Sequence, residues 1–179
     1  MGSGLLFPAM AMATATLVIV FVQAAAGQSE MNMLFYMTDN LTGSSETAFP
    51  IAGFNGSSSD PGKFGTVVII NDAITKRPEI TNSDTDNLVG RAQGTYINTN
   101  PVTGLDFFML FTIIFQNMEY NGSTLQIQGT ETFGRPQREY AVVGGTGKFR
   151  FARGYVVCTT ESSSGENAVL RFNTTFRTN

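Results

Sequence analysis

From Asn32 onward apolar and polar residues alternate in twos along most of this chain, and no stretch sustains apolar spacing at three and four. Successive side chains of a strand point to opposite faces, whereas a helix repeats every 3.6 residues, so the pattern predicts an all-β fold. Candidate strands cover 32–38, 65–70, 87–98, 105–115, 123–130, 137–143, 149–160 and 168–177, eight in all. Most are joined by short turns such as 100–104 and 144–147, which makes neighbours in sequence neighbours in the sheet. Eight such strands predict an antiparallel β-barrel, because closing the sheet on itself removes its unpaired edges. The polar stretch 42–63, with Asn55-Gly56-Ser57-Ser58-Ser59-Asp60-Pro61-Gly62, is expected to be a surface loop between the first two strands.

The fourth candidate strand departs from simple alternation. Leu105, Phe107, Met109, Phe111, Ile113 and Phe115 share one face, while Phe108, Leu110, Thr112 and Ile114 share the other. A barrel uses only one face as core, so the second predicts a homo-oligomer, dimer or trimer, packed on this strand.

The N-terminus sets the compartment. An apolar run containing Leu17-Val18-Ile19-Val20-Phe21-Val22 precedes the small residues Ala24-Ala25-Ala26-Gly27, and no charged side chain occurs before Glu30. This predicts a signal peptide over 1–26, cut near Ala26 or Gly27, and a secreted domain over 27–179. The run is shorter and more broken than the roughly 20 apolar residues of a membrane span. The secreted domain keeps the net charge of −3, which argues against nucleic acid or an anionic membrane and favours small uncharged ligands. Sequons at Asn40, Asn55, Asn121 and Asn173 predict at least one glycan, with Asn55 and Asn121 favoured by their Asn-Gly turns.

Composition narrows the chemistry sharply. There is no histidine and one cysteine, Cys158, so Ser-His-Asp and Cys-His nucleophiles, the usual zinc and haem ligand sets and an internal disulfide are excluded. No dinucleotide fingerprint follows a strand, and neither metal nor cofactor is expected. Gly144-Gly145-Thr146-Gly147-Lys148 lacks a phosphate loop's first glycine and its hydroxyl after lysine, which are Val142 and Phe149 here. It is expected to be a tight turn. Cys158 is in phase with Val156 and Ala152, as an inert buried thiol would be.

Carboxylates, Tyr, Lys and Arg remain. Gly90, Ala92, Gly94 and Tyr96 share a face, where small residues beside an aromatic suggest a cavity. Asp39 is in phase with Phe35 and Met37, Glu131 with Leu125, Ile127 and Gly129, and Arg138 with Tyr140 and Val142. A carboxyl group against apolar walls has a raised pKa and can exchange protons near neutrality, and an Arg can bind a phenolic oxygen or hold a carboxylate. The same residues also fit a turn cap at Asp39 and an ordinary rim salt bridge between Glu131 and Arg138.

Several motifs occur in order: Leu34-Phe35-Tyr36-Met37-Thr38-Asp39, Phe64-Gly65-Thr66-Val67-Val68, Leu88-Val89-Gly90-Arg91-Ala92-Gln93-Gly94, Glu119-Tyr120-Asn121-Gly122-Ser123-Thr124-Leu125, and Val142-Val143-Gly144-Gly145-Thr146-Gly147-Lys148-Phe149-Arg150-Phe151-Ala152-Arg153-Gly154-Tyr155. Together they resemble the plant dirigent family over essentially the whole secreted domain. The resemblance implies an eight-stranded barrel, an oligomer, secretion to the apoplast and frequent glycosylation. It also implies stereoselective coupling of phenoxy radicals, such as those of coniferyl alcohol, to lignans, with a separate laccase or peroxidase as radical source. Other members dehydrate an isoflavonoid alcohol to a pterocarpan, and quinone methides are the expected intermediates of both. By motif, Asp39, Glu131 and Arg138 fall on the family's catalytic positions and Asp72 and Tyr96 on its substrate pocket. Thr38 stands where the first motif usually has His, and Glu131 where lignan-forming members usually have Asp. The cysteine pair of that subgroup is absent. Coupling, a quinone-methide-forming lyase and a non-catalytic apoplastic binding or defence role all stay open.

Overall fold

The computed structural model describes residues 29–54, 60–78 and 86–178. The expected signal peptide and Asn55 lie outside them. Nine strands are formed: β1 (Ser29–Asp39), β2 (Ala48–Ala52), β3 (Val67–Thr75), β4 (Leu88–Asn98), β5 (Asp106–Phe115), β6 (Thr124–Thr132), β7 (Arg138–Thr146), β8 (Arg153–Ser164) and β9 (Asn167–Thr178). Every pairing is antiparallel. The order β1-β9-β8-β7-β6-β5-β4-β3 returns to β1 through Tyr36↔Thr75, Met37↔Ile74 and Thr38↔Ala73. The chain is therefore all-β and closes as the expected eight-stranded antiparallel barrel.

The ninth strand corrects the expected loop over 42–63. Residues 67–70 of β3 pair with β2, and residues 73–75 pair with β1. β2 thus takes over the edge of β3 where β1 leaves it. Thr47 and Ala48 both donate backbone N–H groups to the Asn40 carbonyl, at 2.9 and 3.1 Å, which ties the two segments together. Ala48 is fully buried, an apolar anchor inside an otherwise polar stretch.

Period-two alternation puts Phe35, Met37, Ile74, Ile113, Leu125, Ile127, Val156 and Phe172 inside. At one end Phe149 is fully buried and meets Phe115, Tyr120 and Phe176 with ring centroids 5.2, 5.0 and 5.3 Å away. Sinking that ring breaks the strand expected from 149: Gly147–Phe149 is a 3₁₀ turn, Phe151 has φ 65°, and β8 begins only at Arg153. The expected turn at 144–147 is also displaced, since β7 continues through Thr146.

Gly90 and Gly94 do not border the cavity inside the barrel, contrary to expectation. A Cβ on Gly90 would lie 2.2 Å from the Ile114 carbonyl oxygen, and one on Gly94 2.3 Å from that of Leu110. These glycines let β5 come close to β4, and the cavity lies further along, at Tyr96.

The outer face of β5 is apolar as expected. Phe108, Thr112 and Ile114 are half-buried and Leu110 is exposed, and across the register Ile69 and Phe49 are exposed as well.

Candidate functional site

The strands that carry Asp39, Tyr96, Glu131 and Arg138 end or begin at the same mouth of the barrel. Asp39 closes β1, Tyr96 lies near the end of β4, Glu131 near the end of β6, and Arg138 opens β7. Antiparallel order brings these distant positions together, and alternation turns each inward. There a cavity of about 240 Å³ opens, just under the ~300–1,000 Å³ usual for ligand clefts. Asp39, Tyr96 and Glu131 line it with Phe107, Met109 and Leu170, and Leu41, Leu105 and Phe133 form its lip. Buried Asn98 fixes that lip by donating to the carbonyls of Pro61 and Gly104, at 3.0 and 2.7 Å.

One wall carries two carboxyl groups. The β1–β3 register, continued by one residue, sets Asp39 opposite Asp72. Asp72 is fully buried and does not line the cavity; it lies behind Asp39 and accepts a 2.6 Å hydrogen bond from the Thr47 hydroxyl. Asp39 Oδ1 and Asp72 Oδ2 are buried without a hydrogen-bond partner. Burial pushes Asp39 up to about 7, with a hydrogen bond from Tyr96 opposing it. Burial and the neighbouring Asp39 charge push Asp72 up to about 8 against the Thr47 bond and the more distant Arg91. The pair therefore holds a proton near neutral pH. Tyr96 is raised too, by burial first and then by the Asp39 and Asp72 charges, so it remains a phenol. Its ring stands edge-on to Phe107 at 5.6 Å.

The opposite wall is built differently. β6 is the fourth strand from β1 in either direction around the ring, which puts Glu131 across the cavity from Asp39. Arg138 Nε lies 2.8 Å from Glu131 Oε1 and donates to Oε2 at 3.0 Å, with both side chains almost wholly buried. The Tyr140 hydroxyl also donates to Glu131 Oε2. The remaining Arg138 nitrogens donate to the Arg135 carbonyl at 3.2 Å, Thr160 Oγ1 at 3.1 Å and Cys158 Sγ at 3.5 Å. Arg138 is thus not a cavity-lining group, and it reaches the site only through Glu131. Cys158 is fully buried, and burial pushes its thiol up to about 12, as suits an inert side chain.

A proton-holding carboxyl pair facing a charge-compensated carboxylate across an apolar cavity is equipment for moving protons on a small ligand. Sequence reading missed Tyr140 as the third member of the Glu131 cluster, although its phase with Arg138 was visible. It also missed Leu41, Pro61, Phe133 and Glu166, which come from loops and turns where no periodicity signals orientation. No group of residues suited to holding a metal ion occurs among the described residues.

The family's sequence model, described as Dirigent-like protein, matches residues 30–176. The chain belongs to the dirigent family. It is 37% identical over 139 residues to Dirigent protein 11 of Arabidopsis thaliana, covering 78% of this chain and 69% of that protein. It is 43% identical over 122 residues to Pterocarpan synthase 1 of Glycyrrhiza echinata, covering 68% of this chain and 62% of that protein. Among solved structures, the pterocarpan synthase dirigent protein GePTS1 superposes with a TM-score of 0.76 at 33% identity, covering 88% of this chain and 89% of that one. This dirigent protein therefore has relatives named as dirigent proteins and relatives named as pterocarpan synthases.

Proposed function

We propose that this protein binds a neutral phenolic compound in the β1–β6 cavity and transfers protons on it through a quinone methide. The supporting observation is the Asp39–Asp72 pair, whose proton is available near neutral pH at the wall of an apolar cavity. In the version this geometry favours, the ligand is an alcohol one position from a phenolic ring. Its C–O bond breaks, the leaving oxygen takes the pair's proton and departs as water, and the phenolic O–H proton passes to Glu131. The resulting quinone methide is closed by a second hydroxyl, whose proton returns to the acid pair while the Glu131 proton restores the phenol. The net change is loss of one water and needs no oxidant. Kinship with the pterocarpan synthases supports this reading.

A second reading, stereoselective coupling of monolignol radicals to lignans, is supported by membership of the dirigent family and relies on a separate laccase or peroxidase. Here the cavity walls hold the radical, and the carboxyl groups assist ring closure of the bis-quinone methide. Secretion to the apoplast, glycosylation and a homo-oligomer on the outer β5 face accompany both readings. Asn121 is exposed in a turn and Asn173 on β9, as acceptors must be, while Asn40 is half-buried.

The deciding assay gives the secreted domain an isoflavonoid alcohol without oxidant, or coniferyl alcohol with a one-electron oxidant, and resolves products on a chiral column. Dehydration in the first arm supports the lyase, and enantiomeric excess only in the second supports coupling. Asp39→Asn should lower either activity about 10²- to 10⁴-fold, the usual contribution of a positioned acid. Full activity in that variant would exclude the proton-transfer role.

A further inference from the structure

Among the described residues, the acidic side chains Asp39, Glu131 and Glu166 line the cavity, and no Lys or Arg does. Arg138 does not line the cavity, and each of its nitrogens has a protein acceptor. Glu166 is the exposed member of this set. It sits in the two-residue turn between paired Ser164 and Asn167, and Gly165 before it has φ 60°, as the first position of a type II′ turn requires. Asn167 holds this turn against the lip, its side chain accepting from the Leu41 and Thr42 backbone N–H groups at 2.9 and 3.0 Å and donating to the Thr42 carbonyl at 3.1 Å. The position of Glu166 is therefore set by backbone and not by its own packing. Its charge is felt inside the cavity, where it raises Tyr96, though less than burial and the two aspartates do.

We propose that Glu166 is a specificity-determining residue that, together with Glu131, excludes phenolic ligands bearing a carboxylate while admitting their neutral alcohol counterparts. This rests on the reading of the cavity as a phenolic site. A carboxylate entering the mouth meets the Glu166 charge and the Arg138-paired Glu131, and no Lys or Arg lines the cavity to replace its water, whereas an alcohol of the same shape meets no such repulsion. A like charge about 8 Å away in a partly wet mouth, at an effective dielectric of ~40, disfavours binding roughly fivefold for Glu166 and less for Glu131, whose charge Arg138 offsets.

The test is equilibrium binding by calorimetry at pH 7 and low ionic strength, comparing coniferyl alcohol with ferulate, which share ring and chain length and differ in alcohol against carboxylate. The wild type is expected to bind the alcohol at least ~5-fold more tightly. In Glu166→Gln the ratio should fall about threefold or more, through a gain in ferulate affinity, and in Glu166→Lys further. Raising salt should narrow the wild-type ratio, a second measurement that needs no variant. Equal affinity of the wild type for both compounds overturns the proposal while leaving the phenolic site intact. An unchanged ratio in both variants removes Glu166 from it. Failure of both compounds to bind overturns the phenolic reading and this proposal together.

Discussion

Arg138 offers the sharpest test of how the site is held together. Replacing it with Leu removes its contacts to Glu131 at 2.8 and 3.0 Å and leaves a carboxylate buried with only Tyr140 as partner. Breaking one side of a buried ion pair typically destabilises by about 3–5 kcal/mol, a large share of the ~5–15 kcal/mol that holds a domain together. Removing both charges is a different perturbation. Glu131→Leu with Arg138→Met leaves no uncompensated ion, so most of that loss should return. What remains is the Tyr140 hydroxyl, now buried with only the weakly accepting Cys158 sulfur beside it, at about 1–3 kcal/mol. Adding Tyr140→Phe should therefore make the triple variant more stable than the double. Urea unfolding at fixed protein concentration, followed by far-UV circular dichroism, gives each value, and unchanged m-values would show that the unfolded state is the same. The reasoning is refuted if Arg138→Leu costs less than ~1 kcal/mol, the range of a solvated surface pair, or if the double variant is no better than Arg138→Leu alone.

Two further outcomes follow from the same geometry. Asp39 and Asp72 have folded-state values of about 7 and about 8 against 3.8 unfolded, so folding favours their protonated forms. Their contribution is complete below pH ~4 and is lost as pH rises through 7 and 8. Asp72→Asn should flatten the fall of Tm between pH 5 and 8 and raise Tm at pH 8, and a pH-independent wild-type Tm in calorimetry would contradict this. Gly94→Ala places a methyl 2.3 Å from the Leu110 carbonyl oxygen and 2.5 Å from Phe111 Cα, and should cost at least ~2 kcal/mol. Gly122→Ala, with φ 75° but open space around it, should cost only about 1–2 kcal/mol in the same denaturation series.

Alternation carried most of the fold into the sequence, because a two-residue period survives any set of neighbours. It placed the barrel strands and turned Asp39, Tyr96, Glu131 and Arg138 inward together. β2 was not legible, since five residues with a proline at their centre show too little alternation against a polar background. The end of β7 was obscured by Gly144 and Gly145, which belong to the strand although glycines usually end one. Depth was the other missing quantity. Gly90 and Gly94 could mark either a cavity or a close strand contact, and only the register of β5 against β4 decides for contact. Likewise the phase of Arg138 showed that it points inward, whereas its engagement by Glu131, Thr160, Cys158 and the Arg135 carbonyl depends on residues of three other segments.

The asymmetry of the cavity comes from strand adjacency. Asp39 and Glu131 are similar side chains at similar depths on opposite walls, and what differs is the neighbour each strand receives. β1 closes against β3, which brings a second carboxyl group, Asp72, and no inward cation. β6 pairs with β7, which brings Arg138 and Tyr140. The first arrangement disfavours ionisation by burial and like charge, so that wall holds a proton; the second sets a guanidinium directly beside its carboxyl group. A ligand spanning the cavity thus meets a donor at one end and a compensated acceptor at the other. Moving protons in one direction across a phenolic ring requires that polarity, and the reading predicts that exchanging it should matter more than removing either group. A variant with Asp39→Glu, Asp72→Arg and Arg138→Met gives the first wall a counter-charge and takes it from the second. If it folds yet still delivers the wild-type enantiomer at the wild-type rate, polarity is not what the barrel supplies.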